Sequence, residues 1–315
     1  MTGGLLVVGD VVTDVVARHG TALVHGTDTK AGIRTLPGGA GANVACWAVR
    51  SGCPEVRLLA RVGADSASWH RDRLRRAGVR DLLAVDDGAP TATVVALVDS
   101  AAERTFLTDS GAAVRLAPED WSPSMLDGIG RLHLSGYLLF AARSRATALL
   151  ALREAGRRNI PVSVDPASTG FLAELGVDRF LELVGEVDLL LPNADEARLL
   201  TGLPGPADAA AELSLLAGRV VVTLGRDGAL LAAGGMVTGR IPAEPVRDPV
   251  DSTGAGDAFT GGFLAGLLAG EDPATAAVAG CLAGARAVMA VGGRPPLPRD
   301  GSGRAPGGGP SGAHG

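Results

Sequence analysis

Short apolar runs, each closed by glycine or a polar residue, alternate along the chain with longer stretches whose apolar positions recur at helical spacing. Leu5 to Val8, Val56 to Leu59, Leu132 to Leu134, Val162 to Val164, Leu189 to Leu191 and Val220 to Thr223 read as buried strands. Helices are predicted over Ala42 to Ser51, Ser66 to Ala77, Ser144 to Arg158, Ala194 to Leu200, Ala207 to Leu216, Ala255 to Ala269 and Pro273 to Ala290. Strands and helices in alternation imply an α/β fold with a mainly parallel central sheet covered on both faces.

Two segments depart from this rhythm. Ala17 to Leu36 is polar and turn-rich, whereas Thr93 to Val98 and Arg104 to Leu107 flank the loop Asp99 to Glu103 and read as a β-hairpin. Such insertions either form a small sheet over a site or decorate an edge, and the pattern leaves both readings open. From Arg294 to Gly315 the chain is dominated by Gly, Pro, Ser and Arg. It is too poor in apolar residues to order itself and is expected to be a disordered tail, which leaves 1–293 as the folded part.

With 315 residues, 46% of them hydrophobic, the chain can bury a large core. A net charge of -5 and a pI near 5.6 provide no basic footprint for nucleic acid. The single lysine, Lys30, lies in Thr29-Lys30-Ala31 and outside any G-K-[ST] context, which excludes a Walker-type phosphate loop. Cys46, Cys53 and Cys281 form no C-x-x-C pair and no leader-like segment opens the chain, so a reduced, cytoplasmic setting is expected. Gly262, Gly266 and Gly270 imitate the spacing of a membrane dimer face, but the apolar stretch around them falls short of the ~20 residues needed to span a bilayer. No membrane partner is expected.

The strongest candidate chemistry lies in Asp251-Ser252-Thr253-Gly254-Ala255-Gly256-Asp257. Gly254, Ala255 and Gly256 would expose successive backbone N–H groups where a helix begins, holding a phosphate without a lysine. Asp257, in the first turn, would be placed to take a proton from an attacking hydroxyl, although a carboxylate there can also merely complement the helix dipole. A second glycine run, Gly38-Gly39-Ala40-Gly41-Ala42-Asn43, also leads into a helix. It suits an anion, a polyol bound by Asn43, or close packing alone. Asn193 and Glu196 follow a strand and fit either a capping box or the surroundings of a hydrated Mg²⁺ and phosphates. Thr223 and Gly225, at a strand-turn-strand, would touch a nucleotide or form an ordinary hairpin. Asp10 and Asp14 follow the first strand, where carboxylates accept hydroxyls.

These motifs in this order resemble the ribokinase-like (PfkB) carbohydrate kinase family, over roughly residues 5 to 293. The resemblance implies a three-layer α/β sandwich with a small β-lid, drawn from about 12–36 and 91–110. It also implies ATP as phosphoryl donor and Mg²⁺. By motif, Asp257 is implied as the base and Gly254, Ala255 and Gly256 as the anion hole. Asn193 and Glu196 organise magnesium and phosphate through water, and Thr223, Gly225 and Gly256 contact nucleotide. Asp14, Gly39 and Asn43 hold substrate hydroxyls, and Asp251 and Thr253 match ligands of a monovalent cation, commonly potassium. A homodimer through the lid is a further implication.

Ala40 stands where ribokinase-like sequences carry lysine, and Leu134-Ser135-Gly136-Tyr137 where they carry glutamate. Both departures argue for another polyol or a nucleoside. The expected activity is transfer of the γ-phosphoryl group to a primary hydroxyl of a small sugar or sugar derivative. A nucleoside kinase with the same phosphate site is the alternative, against which a 3% aromatic content weighs. A catalytically silent sugar-binding regulator is a third reading.

Overall fold

The computed structural model describes residues 3–100, 104–185 and 187–297. Strands in chain order are β1 (Gly4–Val8), β2 (Val12–His19), β3 (Ala31–Gly38), β4 (Val56–Gly63), β5 (Arg80–Asp86), β6 (Ala92–Val98), β7 (Arg104–Asp109), β8 (Ile129–Ser135), β9 (Val162–Asp165), β10 (Leu189–Leu190), β11 (Val220–Thr223), β12 (Ala229–Ala233) and β13 (Met236–Ile241). Helices are α1 (Ala40–Arg50), α2 (Ala67–Arg76), α3 (Ala142–Arg157), α4 (Thr169–Leu175), α5 (Val177–Val184), α6 (Ala194–Thr201), α7 (Pro206–Leu213), α8 (Ala255–Leu268) and α9 (Pro273–Ala287).

Nine strands form the central sheet in the order β13-β12-β11-β10-β9-β8-β1-β4-β5. Pairing is parallel from β11 through β5 and antiparallel only where β12 and β13 close one edge. Apolar residues fall on both faces because both faces are covered. Leu6, Val8, Leu132, Leu134, Val164 and Val222 join one buried cluster. Leu5, Val7, Leu58, Leu189 and Val221 join the other, with α1 and α8. At about 1.5–3 kcal/mol for each fully buried large side chain, these layers supply the main driving force for folding.

The glycine spacing of α8 finds its use inside the protein. A Cβ at Gly261 would lie 2.7 Å from the Val44 carbonyl on α1, and one at Gly262 would lie 2.8 Å from the Ala279 carbonyl on α9. Gly266 is as tight, at 2.9 Å from Ala276 Cα. The Gly262–Gly266 face that imitates a membrane dimer is therefore where α8 packs on α9, while Gly261 lets the same helix close on α1. Among the described residues no helix is long and apolar enough to cross a membrane.

A second sheet, of four strands in the order β3-β2-β6-β7, stands over one end of the central sheet. The expected hairpin is its β6–β7 pair, with Val94 opposite Thr108 and Ala96 opposite Phe106, while residues 101–103 of its loop lie outside the described residues. The polar, turn-rich segment Ala17 to Leu36 carries the end of β2 and most of β3 on either side of a turn-rich stretch at 20–30, within the β-lid the resemblance draws from about 12–36. These strands expose one face and so lack the unbroken apolar run by which buried strands are recognised. Helices α4 and α5 and strand β5 were likewise not anticipated. The chain remains packed to Arg294, which the composition assigns to the tail; residues 298–315 lie outside the described residues.

Candidate active site

Ligands in open α/β sheets bind at the carboxyl ends of the strands, near the point where strand order reverses. Here β1 is that point, flanked by β8 and β4. Asp10 follows β1, Ser135 ends β8, Asp165 ends β9, and Asn193 forms an isolated bridge with Thr223, beyond β10 and at the end of β11. These residues and the start of α8 border one region beneath the four-stranded sheet.

The start of α8 is made by Gly254, at φ +72° and without a side-chain cap. An alanine there would be strained in the left-handed region, and its Cβ would collide with Gly293. A Cβ at Gly256 would meet open space, so this turn faces a void. First-turn amides have no acceptor within their own helix, and with the dipole they suit an anion. The Ala255 N–H already donates to the Ser252 carbonyl at 3.2 Å, which weights the proposed anion hole toward the amides that follow it.

Asp257 accepts a hydrogen bond from Asn43 Nδ2 at 2.8 Å, joining the two glycine-led motifs across 214 positions of sequence. Burial pushes the Asp257 carboxyl up to about 8, opposed by the Asn43 bond and reinforced by Asp165, Asp10 and Asp14. Burial raises both Glu196 and Asp165 above the ordinary carboxylate range; Glu196 adds to the rise at Asp165, and Asp195 and Asp257 add to the rise at Glu196. Among the described residues no three acid, histidine or cysteine side chains gather closely enough to hold a metal ion directly, so a divalent cation beside these acids would be held through water and phosphate. Glu196 also completes a capping box: its Oε2 accepts from the Asn193 N–H at 2.9 Å, while Asn193 Oδ1 accepts from the amides of Asp195 and Glu196. Capping engages Oε2 of Glu196 and leaves its Oε1 to face a hydrated cation, whereas Asn193 commits its one side-chain oxygen to the helix and keeps the Nδ2 donor, which suits phosphate.

The second glycine run wraps the carboxylate of Asp10, which accepts from the amides of Ala40 and Gly41 at 2.8 and 3.1 Å and from Ser135 Oγ at 2.9 Å. Gly39, at φ +96°, has its Cα against the Asp10 and Val11 backbone, and a Cβ at Gly38 would collide with the Asp14 carboxylate. Close packing is thus real, and it brings Asp14 and Asn43 to the cavity rim. Burial pushes Asp14 up to about 7, with Arg294 acting in the opposite sense.

Asp251 accepts amide hydrogens from Thr253 at 2.9 Å and Gly292 at 3.0 Å, tying the loop before α8 to the chain after α9. In the same corner the Trp47 indole donates to the Gly293 carbonyl at 2.8 Å. Arg294 donates through Nη2 to the Gly38 carbonyl at 2.8 Å, while its Nε and Nη1 are buried without a protein partner. The sequence reading missed Arg294 because composition placed it in the tail. It also missed Asp165, although an acid closing a buried strand is the signal that marks Asp10 after β1. Thr223 pairs with Asn193 in an isolated parallel bridge, and Gly225, two residues further on, is exposed.

A cavity of about 430 Å³ brings together Asp10, Asp14, Gly39, Asn43, Asp165, Asp251, Thr253, Gly254 and Asp257, whereas Asn193, Glu196, Thr223, Gly225 and Gly256 lie outside its lining. Its polar end carries Asp10, Asp14, Asn43, Asp165 and Asp257. Val16, Val94 and Phe106 of the lid and Tyr137, Phe140 and Phe171 of the main body line the remainder.

A parallel sheet with its acids at the strand ends, an uncapped glycine-led helix start and a covering lid together define a ribokinase-like small-molecule kinase. Residues 3–300 match the family described as pfkB family carbohydrate kinase. The chain belongs to that family, whose members are phosphotransferases with an alcohol group as acceptor. It is 34% identical over 283 residues to a fructokinase from Klebsiella pneumoniae, covering 85% of this chain and 86% of that one. Among solved structures it superposes on adenosine kinase from Sinorhizobium meliloti with a TM-score of 0.85 and 24% identity, covering 94% of this chain and 96% of that one. A putative ribokinase II from E. coli in complex with ATP and Mg²⁺ gives a TM-score of 0.81 at 23% identity, covering 92% and 94%. The last two establish likeness of fold.

Proposed function

We propose that the protein transfers the γ-phosphoryl group of ATP to a primary hydroxyl of a small sugar or sugar derivative, with Asp257 as the base. The observation that carries this reading is the position of Asp257. It sits in the first turn of α8, bonded to Asn43, where the cavity meets the glycine-led helix start. The acceptor hydroxyl gives its proton to the Asp257 carboxylate as its oxygen forms a bond to the γ-phosphorus, and the bond from that phosphorus to the β,γ-bridging oxygen breaks to release ADP. Amides at Gly256 and Asp257 stabilise charge on the transferring group. Mg²⁺, when bound through water near Glu196 and Asp165, would offset phosphate charge and relieve the repulsion that Glu196 exerts on Asp165. Asn193, Thr223 and Gly225 are assigned to the nucleotide side, and Asp14, Gly39 and Asn43 to the acceptor.

The test is ADP release across pentoses, hexoses, keto-deoxy sugar acids, phosphosugars and nucleosides, with and without potassium. Loss of all turnover with every acceptor would favour a silent binding protein and overturn the proposal. The potassium arm tests Asp251 and Thr253 as cation ligands. A homodimer through the lid is proposed on its outward face, where Ile33 is 67% and Leu107 59% exposed. Sedimentation of the protein and of Ile33→Glu tests it, the variant being expected to run as a monomer.

A further inference from the structure

The cavity has two chemically different ends, and its size alone does not explain the second. A pentose or hexose carries hydroxyl groups around its ring, and each one buried against hydrocarbon without a partner costs free energy. Asp10, Asp14, Asn43, Asp165 and Asp257 supply many such partners, and Thr108, Asp109, Ser110 and Ser168 add others. The rest of the lining holds a group of rings. The chain has six Phe, one Tyr and three Trp in 315 residues, and four of these, Phe106, Tyr137, Phe140 and Phe171, line this one cavity.

Three of them form a single wall. The rings of Phe140 and Phe171 are stacked with centroids 5.1 Å apart, and Tyr137 meets both edge-on at 6.2 and 5.6 Å. Each remains partly exposed, although nearby Leu138 and Leu139 are buried. Phe106 stands on the cavity-facing side of the lid, in register with Ala96, and is 55% exposed. Low aromatic content thus argues against base stacking only until the aromatic residues are located. An exposed phenylalanine on a lid, above an aromatic wall and beside a cluster of hydroxyl-binding acids, is the complement of a molecule with a polyhydroxyl ring at one end and a flat π-system at the other.

We infer that the acceptor is a nucleoside, its base held between Phe106 and the Tyr137–Phe140–Phe171 wall and its ribose held by Asp14 and Asn43. This rests on the phosphotransfer reading above. The 5′-hydroxyl is then the primary hydroxyl facing Asp257: its oxygen bonds to the γ-phosphorus, its proton passes to the carboxylate, and ADP and a nucleoside 5′-monophosphate are released. Serines 110 and 168, which also line the cavity, are in place to bond the polar edge of the base.

The deciding experiment measures ADP release and calorimetric binding for adenosine, inosine, guanosine, cytidine and uridine against free ribose and fructose, on the full-length protein. At least one nucleoside is expected to exceed ribose and fructose by 100-fold or more in kcat/KM. In Phe106→Ala its KM should rise roughly 5- to 100-fold, the range for losing one stacking ring, with kcat little changed. Phe171→Leu, which keeps the apolar volume and removes the π-face, should act in the same direction at an unaltered melting temperature. Better turnover of fructose or ribose than of every nucleoside overturns the inference and leaves the kinase reading standing. Nucleoside binding without turnover of any acceptor supports the aromatic wall and overturns the kinase reading. Absence of both binding and turnover overturns both.

Discussion

The phosphate end and the lid end of the cavity are built on different principles. At the phosphate end the functional groups are backbone amides and one carboxylate on α8, a helix held on both sides by contacts too close for any side chain at Gly261 and Gly262. At the lid end they are side chains on a four-stranded sheet whose outward face is exposed and whose root is held by contacts such as Thr13 Oγ1 to His70 Nε2 at 3.0 Å. On the proposed reading, chemistry common to every acceptor sits on the rigid frame of α8. Selection among acceptors is shared between Phe106 on the thinner sheet and Tyr137, Phe140 and Phe171 of the main body, where a substitution changes affinity without dismantling α8.

This contrast predicts a hierarchy of effects. Asp257→Asn removes the proton acceptor while keeping the size of the side chain, and kcat should fall roughly 10²–10⁴-fold with ATP affinity nearly intact. Wild-type turnover in that variant would remove Asp257 from the mechanism. Gly254→Ala should lower kcat/KM by about 100-fold through the misplaced amides, and destabilise the fold by about 1–3 kcal/mol in a denaturant titration. A neutral result in both measurements would mean that the helix start is not the anion site.

Asp165→Asn tests the electrostatics. Because Asp165 raises the Asp257 carboxyl, its neutralisation should move the acidic limb of the kcat/KM profile to lower pH. The sign for stability follows from the same shift. Asp257 titrates near 8 in the folded protein against an ordinary value of 3.8, so its protonated form contributes stability at low pH that is lost as pH rises through about 8. Ligand-free protein should therefore melt lower at pH 8.5 than at pH 5.5, and Asp165→Asn should narrow the gap, gaining about 0.5–2 kcal/mol at the higher pH. A gap of unchanged size would show that the acids do not repel as argued.

The smallest effect is expected at Arg294. Its guanidinium lowers the Asp14 carboxyl and holds the Gly38 carbonyl, so Arg294→Met should leave Asp14 protonated to higher pH. Acceptor KM should rise by about tenfold near neutral pH with kcat unchanged, and the rise should shrink in alkaline buffer. A fall in kcat instead would move Arg294 from the acceptor side to the phosphate side.

Legibility in the sequence follows the same divide. The proposed phosphate site was readable as a candidate because it is contiguous: Asp251 to Asp257 places loop, glycine turn and candidate base within seven residues. The buried strands were readable because burial on two faces demands unbroken apolar runs. Strands β2 and β3 were not, since a sheet with one open face mixes polar and apolar positions and Ala17 to Leu36 reads as turns. Arg294 was concealed by the glycine- and proline-rich residues that follow it.

The sequence by itself thus determined the alternating architecture, the glycine-led helix start proposed to receive phosphate, and Asn43, Glu196 and Asp257 as candidates. Each depends on local spacing, which a linear chain displays. Only the tertiary structure decided that Asn43 bonds Asp257, that Asp165 joins the acids, and that Phe106, Tyr137, Phe140 and Phe171 converge on one cavity. These depend on which side chains the sheet order and the lid bring together across distant positions, and composition cannot carry that information: the same four aromatic residues dispersed through the core would give the same percentage and no binding wall.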